Sequence, residues 1–178
     1  MGWMQLPESA HIIISPYQRV AEVLTRQRIG HVVSILGRSD RLPWPSTGAL
    51  EALRLEFDDT ILASPTRVAP TGDQIQSLID FATDWGGTSN LLLHCRAASS
   101  RSPAAAAIAV AAIGRVDLVE RVLAAKTYHR PNPRMLELAD CLIVPCPRLA
   151  ERARAIQRPD GNSDWAPVAI PLDPKFAP

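Results

Sequence analysis

Cysteine is scarce in this chain. Cys95, Cys141 and Cys146 are all there is, an odd count too small for a disulfide framework. Met1 to Leu6 carries neither a basic opening nor a long apolar core, so no signal peptide is expected. Leu6 also stands where myristoylation favours a hydroxyl residue. Unpaired thiols without a leader point to a reducing compartment, the cytoplasm. Long hydrophobic runs are missing too. The longest, Pro103 to Ile113, is too short to cross a bilayer. Net charge is close to nil: 19 basic and 18 acidic residues leave +1, which gives no reason to expect nucleic acid or a membrane surface as a partner. Lysine is nearly absent, with Lys126 and Lys175 the only two. Beside plentiful alanine and proline, that bias is compatible with a GC-rich bacterial genome. Histidine is not grouped with cysteine or carboxylates at metal-ligand spacing, so neither a metal nor another cofactor is expected. No internal repeat is present.

What is present fits one globular domain: 178 residues, 47% of them hydrophobic, are enough for a sizeable core. His11 to Ile14 predicts a first strand. Ser15-Pro16-Tyr17-Gln18 predicts a helix start, with Ser15 as cap and Gln18 closing a capping box, and Gly30 ends that helix. His31 to Leu36 and Leu50 to Phe57 are the next strands, joined by the polar connection Gly37 to Gly48. Thr71 with Gln74 opens a helix that runs to about Trp85. A strand follows at Leu91 and a helix from Pro103. Asp117 with Glu120 marks a further start, Asn132 caps Pro133 to Ile143, and Arg148 to Arg158 is a last basic helix. This order predicts an α/β layered domain over residues 1–158, with a central, mostly parallel sheet flanked by helices. The proline-rich tail, Pro159 to Pro178, is expected to lie extended on that domain through Trp165, Val168, Ile170 and Leu172. A partner-binding tail is the other reading.

The chain is organised around Asn90 to Gly114. Leu91-Leu92-Leu93 reads as a buried strand and Pro103 to Ile113 as a buried helix. Cys95 ends the strand, and Arg101 follows after five residues. A loop entering a helix turns unpaired N–H groups toward one spot, and the helix dipole adds positive potential there. The same field favours a thiolate. Arg101 offers a planar fork of donors that matches two oxygens of a phosphate. The backbone of Arg96, Ala97, Ala98, Ser99 and Ser100 is long enough to wrap that phosphate. Ser102 can donate to the sulfur as it departs, and His94 can brace the loop.

At His94, Cys95, Arg101 and Ser102 the chain resembles the cysteine-dependent protein tyrosine phosphatases, whose signature is His-Cys, five residues, Arg, then Ser or Thr. The likeness is to the compact dual-specificity branch in a bacterial form. It implies a phosphatase fold, a phosphocysteine intermediate, a phosphotyrosine protein or other phosphomonoester as substrate, and phosphate or sulfate as a loop ligand. Cys146 to Arg152 repeats the bare spacing, but Pro145 precedes it and neither a strand nor a hydroxyl frames it.

A thiolate attacking phosphorus needs an acid for the departing oxygen, and the same group can later activate water. The family carries an aspartate for this a few tens of residues before the cysteine. Asp58 and Asp59 lie there. Asp59 is favoured, because it shares parity with Leu53, Leu55 and Phe57 and matches the relatives' position better. Ala63 to Pro70 is expected to rim the site. Asn132 resembles the asparagine that supports the phosphate loop from behind, while His129 reads as structural.

One position departs from the pattern: Ala98 stands where the family has glycine. Alanine fits without strain only at negative φ, so the departure bears on activity level rather than fold. Two rival functions follow. A phosphate-binding module would hold phosphotyrosine or vanadate without turnover. A rhodanese-like sulfurtransferase also uses a Cys-Arg loop, though a shorter one. The loop carries one extra basic residue, Arg96, where an inositol-phosphate phosphatase is expected to carry more.

Overall fold

Leu91, Leu92 and Leu93 are fully buried, because their strand β4 (Asn90–Cys95) has a neighbour on each side and layers on both faces. The computed structural model describes residues 10–47, 50–156 and 165–173. Around β4 lie β1 (His11–Pro16), β2 (Ile29–Leu36), β3 (Glu51–Glu56) and β5 (Val168–Pro171), in the order β3-β2-β4-β1-β5. The pairs β1·β4, β2·β4 and β2·β3 are parallel, and β5 runs antiparallel on β1. Six helices accompany them among the described residues: α1 (Val20–Arg26), α2 (Gly72–Trp85), α3 (Arg101–Ala112), α4 (Val119–Leu123), α5 (Pro133–Leu142) and α6 (Leu149–Ala155).

The pleat sorts the strands' side chains into two layers. Ile12, Ile14, Val33, Ile35, Leu91 and Leu93 face the larger core with α2 to α6. Ile13, Val32 and Leu92 face a smaller one closed by Val20 and Val23 of α1. Helix α3 is the hub of the larger layer, packing on α2, α4, α5, β1 and β4. Its run of alanines lets neighbours approach closely from every side, and it is buried from Arg101 to Ala111. Truncating its Ile108, which is fully buried, to alanine would cost about 2–5 kcal/mol. No described helix is long and apolar enough to cross a membrane.

Three local expectations are corrected. Ser15 does not cap a helix. Strand β1 continues through Pro16, in register with Cys95, and Ser15 Oγ donates to the Pro16 carbonyl at 3.0 Å. Strand pairing outweighs the local capping signal, and α1 starts only after a 3-10 turn at Tyr17–Arg19. Gly30 does not end α1, which stops at Arg26; it sits in β2, where any Cβ would collide with Ser89. Asp117 caps nothing, because Arg115 takes its carboxylate at 2.9 and 2.8 Å. The tail residues Val168–Pro171 run extended against β1 as an antiparallel edge strand, with Ile170 and Leu172 buried. Met1 to Leu6, Gln157 and Arg158 at the end of the last helix, and the tail from Pro159 to Asp164 and Pro174 to Pro178 lie outside the described residues.

Candidate active site

Strand β4 delivers Cys95, the loop of residues 96–100 turns the chain, and α3 begins at Arg101. Three carbonyls of this loop are held from outside. Tyr17 N–H donates to Arg96 O at 3.2 Å, Arg130 N–H to Ser99 O at 2.6 Å, and Asn132 N–H to Ser100 O at 3.2 Å. A trans peptide points its N–H opposite to its carbonyl. The amides of Ala97, Ser100 and Arg101 therefore point away from these outside partners. Ala98 adopts φ 56°, the left-handed conformation that glycine takes without cost. Its side chain is buried in the larger core and does not line the hollow beside Cys95, so the methyl strains the backbone without crowding the cradle.

The hollow has a volume of about 180 Å³. Cys95, Arg101 and Asp59 line it together. Ser102 Oγ stands 3.2 Å from the Cys95 sulfur. Arg101 is buried, and its guanidinium is braced end-on by Asp40, with Nη1 donating to Oδ2 at 2.7 Å and Nη2 to Oδ1 at 3.1 Å. Nη1 also donates to the Phe57 carbonyl at 3.0 Å. Burial works against its charge, but the Asp40 hydrogen bond and the charges of Cys95, Asp40 and Asp59 outweigh that and raise its pKa. Arg101 Nε is buried with no partner among the described residues, so the Nε–Nη2 edge of the fork is unclaimed.

The two aspartates have separated. Asp58 is fully buried and works as a clamp. It accepts from the Ser39 amide at 3.0 Å, from the Ser39 hydroxyl, and from the Val68 amide at 2.8 Å, while its own N–H donates to Val68 O. Burial opposes its ionisation, but the bonds from Ser39 and Val68 and the charge of Arg67 prevail and lower its pKa. Asp59 is exposed to the hollow; its Oδ1 accepts from Ser100 Oγ at 2.7 Å and Asn132 Nδ2 at 3.0 Å. The parity argument for Asp59 was wrong, since β3 ends at Glu56 and Asp58 takes the inward place. Asp59 reaches the hollow because the clamp turns the chain.

Asn132 serves two ends at once. Its Oδ1 caps α5 by accepting from Met135 N–H at 3.2 Å, and its Nδ2 holds Asp59. His94 is buried between strands, with Nε2 and Ser34 Oγ 2.7 Å apart. Burial, helped by the nearby charge of Arg101, pushes its pKa down to about 4, so the ring is neutral at pH 7. His129 is buried behind the loop. Cys146 is exposed, and Arg152 donates instead to Pro147 O at 2.8 Å, so this second Cys–Arg spacing builds no hollow. Two lining residues escaped the sequence reading, Ser39 and Asp40, while Arg67 lines the hollow from the Ala63 to Pro70 loop expected to rim it. The one available signal for Asp40 was an acid three residues past Gly37, whose N–H donates to Oδ2 at 2.8 Å. Among the described residues no cluster of His, Cys, Asp or Glu could hold a metal ion.

A crystal structure of DUSP15 superposes with a TM-score of 0.56 at 21% identity, over 88% of this chain and 97% of that one. A crystal structure of PTPMT1 in complex with PI(5)P gives 0.53 at 14% identity, over 80% of this chain and 89% of that one. The chain has their fold. No protein-family model and no curated protein sequence matches it. With DUSP15 the shared fold takes in all but a few per cent of that chain, so the likeness is of whole domains rather than of a local motif.

Proposed function

We propose that this protein hydrolyses phosphomonoesters through a phosphocysteine intermediate, as a protein tyrosine phosphatase of the compact dual-specificity type in a bacterial cytoplasm. The observation that carries the proposal is the shared hollow, where the Cys95 sulfur, Arg101 with its unclaimed edge, and the Asp59 carboxyl meet. In the first step the sulfur forms an S–P bond as the P–O ester bond breaks. Asp59 gives its proton to the departing oxygen. Arg101 and the amides of Ala97, Ser100 and Arg101 bind the three oxygens and the charge that builds on them. In the second step Asp59 takes a proton from water, which attacks phosphorus while the S–P bond breaks. Ser102, 3.2 Å from the sulfur, donates to it as it leaves. The oxyanion charge is met by Arg101 and the loop amides, so no metal enters these steps. Phosphotyrosine in a protein is the substrate that the family resemblance implies.

The test is steady-state turnover of an aryl phosphate by wild type and Cys95→Ser. Turnover by wild type alone is expected. Retained turnover in Cys95→Ser would overturn the mechanism. Binding of vanadate by a wild type that never turns over would establish the module without catalysis instead, with Ala98 at φ 56° as the first suspect.

A further inference from the structure

The loop that carries Asp59 also presents apolar side chains to solvent. Of the large hydrophobic residues left exposed among the described residues, three stand on it: Leu62 at 73%, Ile61 at 53% and Val68 at 42%. This exposure is not slack in the loop, because the backbone is held along its length. Thr60 Oγ1 donates to Leu62 O at 2.8 Å and accepts from the Leu62 N–H at 3.4 Å. Asn132 Nδ2 donates to Thr60 O at 3.4 Å. Ser64 and Arg67 pair through two backbone bonds, at 2.9 and 3.3 Å, and the Asp58 clamp fixes Val68. Beside the loop runs a groove of about 450 Å³. Ile61, Leu62, Ala63, Ala69 and Pro70 make its apolar walls. Arg134 of α5 lines it too, and its guanidinium has no hydrogen bond or ion pair among the described residues.

We propose that this groove takes the residues beside phosphotyrosine in a protein substrate, an apolar side chain between the walls and an acidic one against Arg134. The proposal rests on the phosphatase reading of Cys95 and Arg101. One loop walls both sites: Asp59 and Arg67 line the hollow, while Ile61, Leu62 and Ala69 line the groove. Asp59 and Ile61 are two residues apart, so at most about 7 Å separates them along the chain. An extended peptide advances about 3.3 Å per residue, which puts the side chain in the groove within about three residues of the phosphotyrosine. Burying that side chain removes apolar surface from water on both partners. The loop is already ordered, so binding does not have to order it. Arg134 is the one charged residue lining the groove, which matches a single carboxylate. A lipid surface is drawn by clustered cations, and the groove has none.

The test is calorimetric binding of phosphotyrosine peptides to Cys95→Ser protein, where turnover cannot intrude. In a peptide otherwise made of serine and glycine, leucine is moved through the three positions on each side of the phosphotyrosine. At one of them it is expected to tighten binding about tenfold. A glutamate placed beyond that leucine should add about two- to fivefold. In the same background, Ile61→Ser with Leu62→Ser should abolish the leucine gain, and Arg134→Gln the glutamate gain. Gly72→Gln is the independent check. Gly72 lines the groove from the start of α2, and a Cβ there meets no atom within 4 Å, so the new side chain fills the groove without disturbing the core. It too should remove the leucine gain. Equal binding of every leucine peptide and the peptide without leucine overturns the proposal. So does a leucine gain that survives the double variant or Gly72→Gln, or a glutamate gain that is absent or survives Arg134→Gln. Peptides indifferent to leucine, beside Leu62-dependent sedimentation with phosphatidylglycerol vesicles, would give the groove to a lipid surface; beside Leu62-dependent dimers, to a second copy. Both overturn the proposal. A leucine gain in a protein whose wild type turns over no phosphate ester would overturn the phosphatase reading alone.

Discussion

Asp40 and Arg101 meet end to end inside the protein, with side chains only 5% and 4% exposed. The carboxylate occupies the Nη1–Nη2 end of the guanidinium and leaves the Nε edge unclaimed. Asp40 is itself fixed by the Gly37 N–H at the start of a 3-10 turn, Arg38–Asp40. The brace therefore sets the angle of the fork before any substrate arrives, which is the kind of preorganisation that electrostatic catalysis depends on.

Removing one member of a buried pair strands the other charge. Asp40→Ala is expected to lose about 3–5 kcal/mol of stability, read from urea midpoints. Asp40→Asn, which keeps the shape and one acceptor, should lose less. Turnover of an aryl phosphate should fall in both. An Asp40→Ala protein as stable as wild type would show that the pair contributes nothing.

The two neighbouring aspartates should separate cleanly under substitution. Asp59→Asn is expected to cost about 10²–10⁴-fold in kcat with little change in melting temperature. Asp58→Asn turns one of the two oxygens that together accept three hydrogen bonds into a donor and should cost about 1–3 kcal/mol in stability. A large loss of kcat in Asp58→Asn with none in Asp59→Asn would reverse the assignment.

The segment from His94 to Ser102 was legible because all its parts are contiguous, and the strand before and helix after follow from strong apolar runs. The parallel sheet followed from the alternation of strand and helix. What the sequence hid was built by tertiary closure. Ser39 and Asp40 reach the hollow from the 3-10 turn after β2, and no local pattern ties either to Cys95. Asp58 shows the limit of strand parity: past Glu56 the chain is steered by its bonds to Ser39 and Val68, not by the pleat. Strand β5 escaped notice because Pro171 ends it and prolines crowd that tail, yet an edge strand tolerates a proline that a central one does not. Ser15 misled in the opposite sense, a good cap signal overruled by pairing with β4.

Ala98 stores backbone strain. A left-handed conformation costs an L-residue about 1–2 kcal/mol, part of which glycine would give back through its freer unfolded chain. Ala98→Gly is thus expected to raise stability by about 0.5–1 kcal/mol in urea unfolding and to leave the loop no less able to bind phosphate. A destabilised Ala98→Gly would mean that the methyl's packing in the core outweighs the strain.

Acid should weaken the fold in a defined window. The pKa of His94 falls from 6.5 to about 4 on folding, so between these values the unfolded state binds more protons than the native one. Stability therefore declines as pH drops from 6.5 to about 4 and stops declining, on this account, below that. The full effect is about 3 kcal/mol. Asp58, whose pKa is lowered, adds a further loss at more acid pH, as its carboxylate is protonated. Urea midpoints measured across this range for wild type and His94→Asn check the point: the slope between pH 6.5 and about 4 should flatten in the variant.

The central claim is that Cys95 carries the phosphoryl group between two half-reactions. Its most direct test is to mix the protein with excess aryl phosphate, quench in milliseconds, and examine the Cys95 peptide by mass spectrometry. Ser102→Ala serves beside wild type, because slower breakdown should let the intermediate accumulate. A phosphate on the Cys95 sulfur, absent from Cys95→Ser, is the expected result. Steady turnover with no phosphate on Cys95 at any quench time, in either protein, would contradict the account.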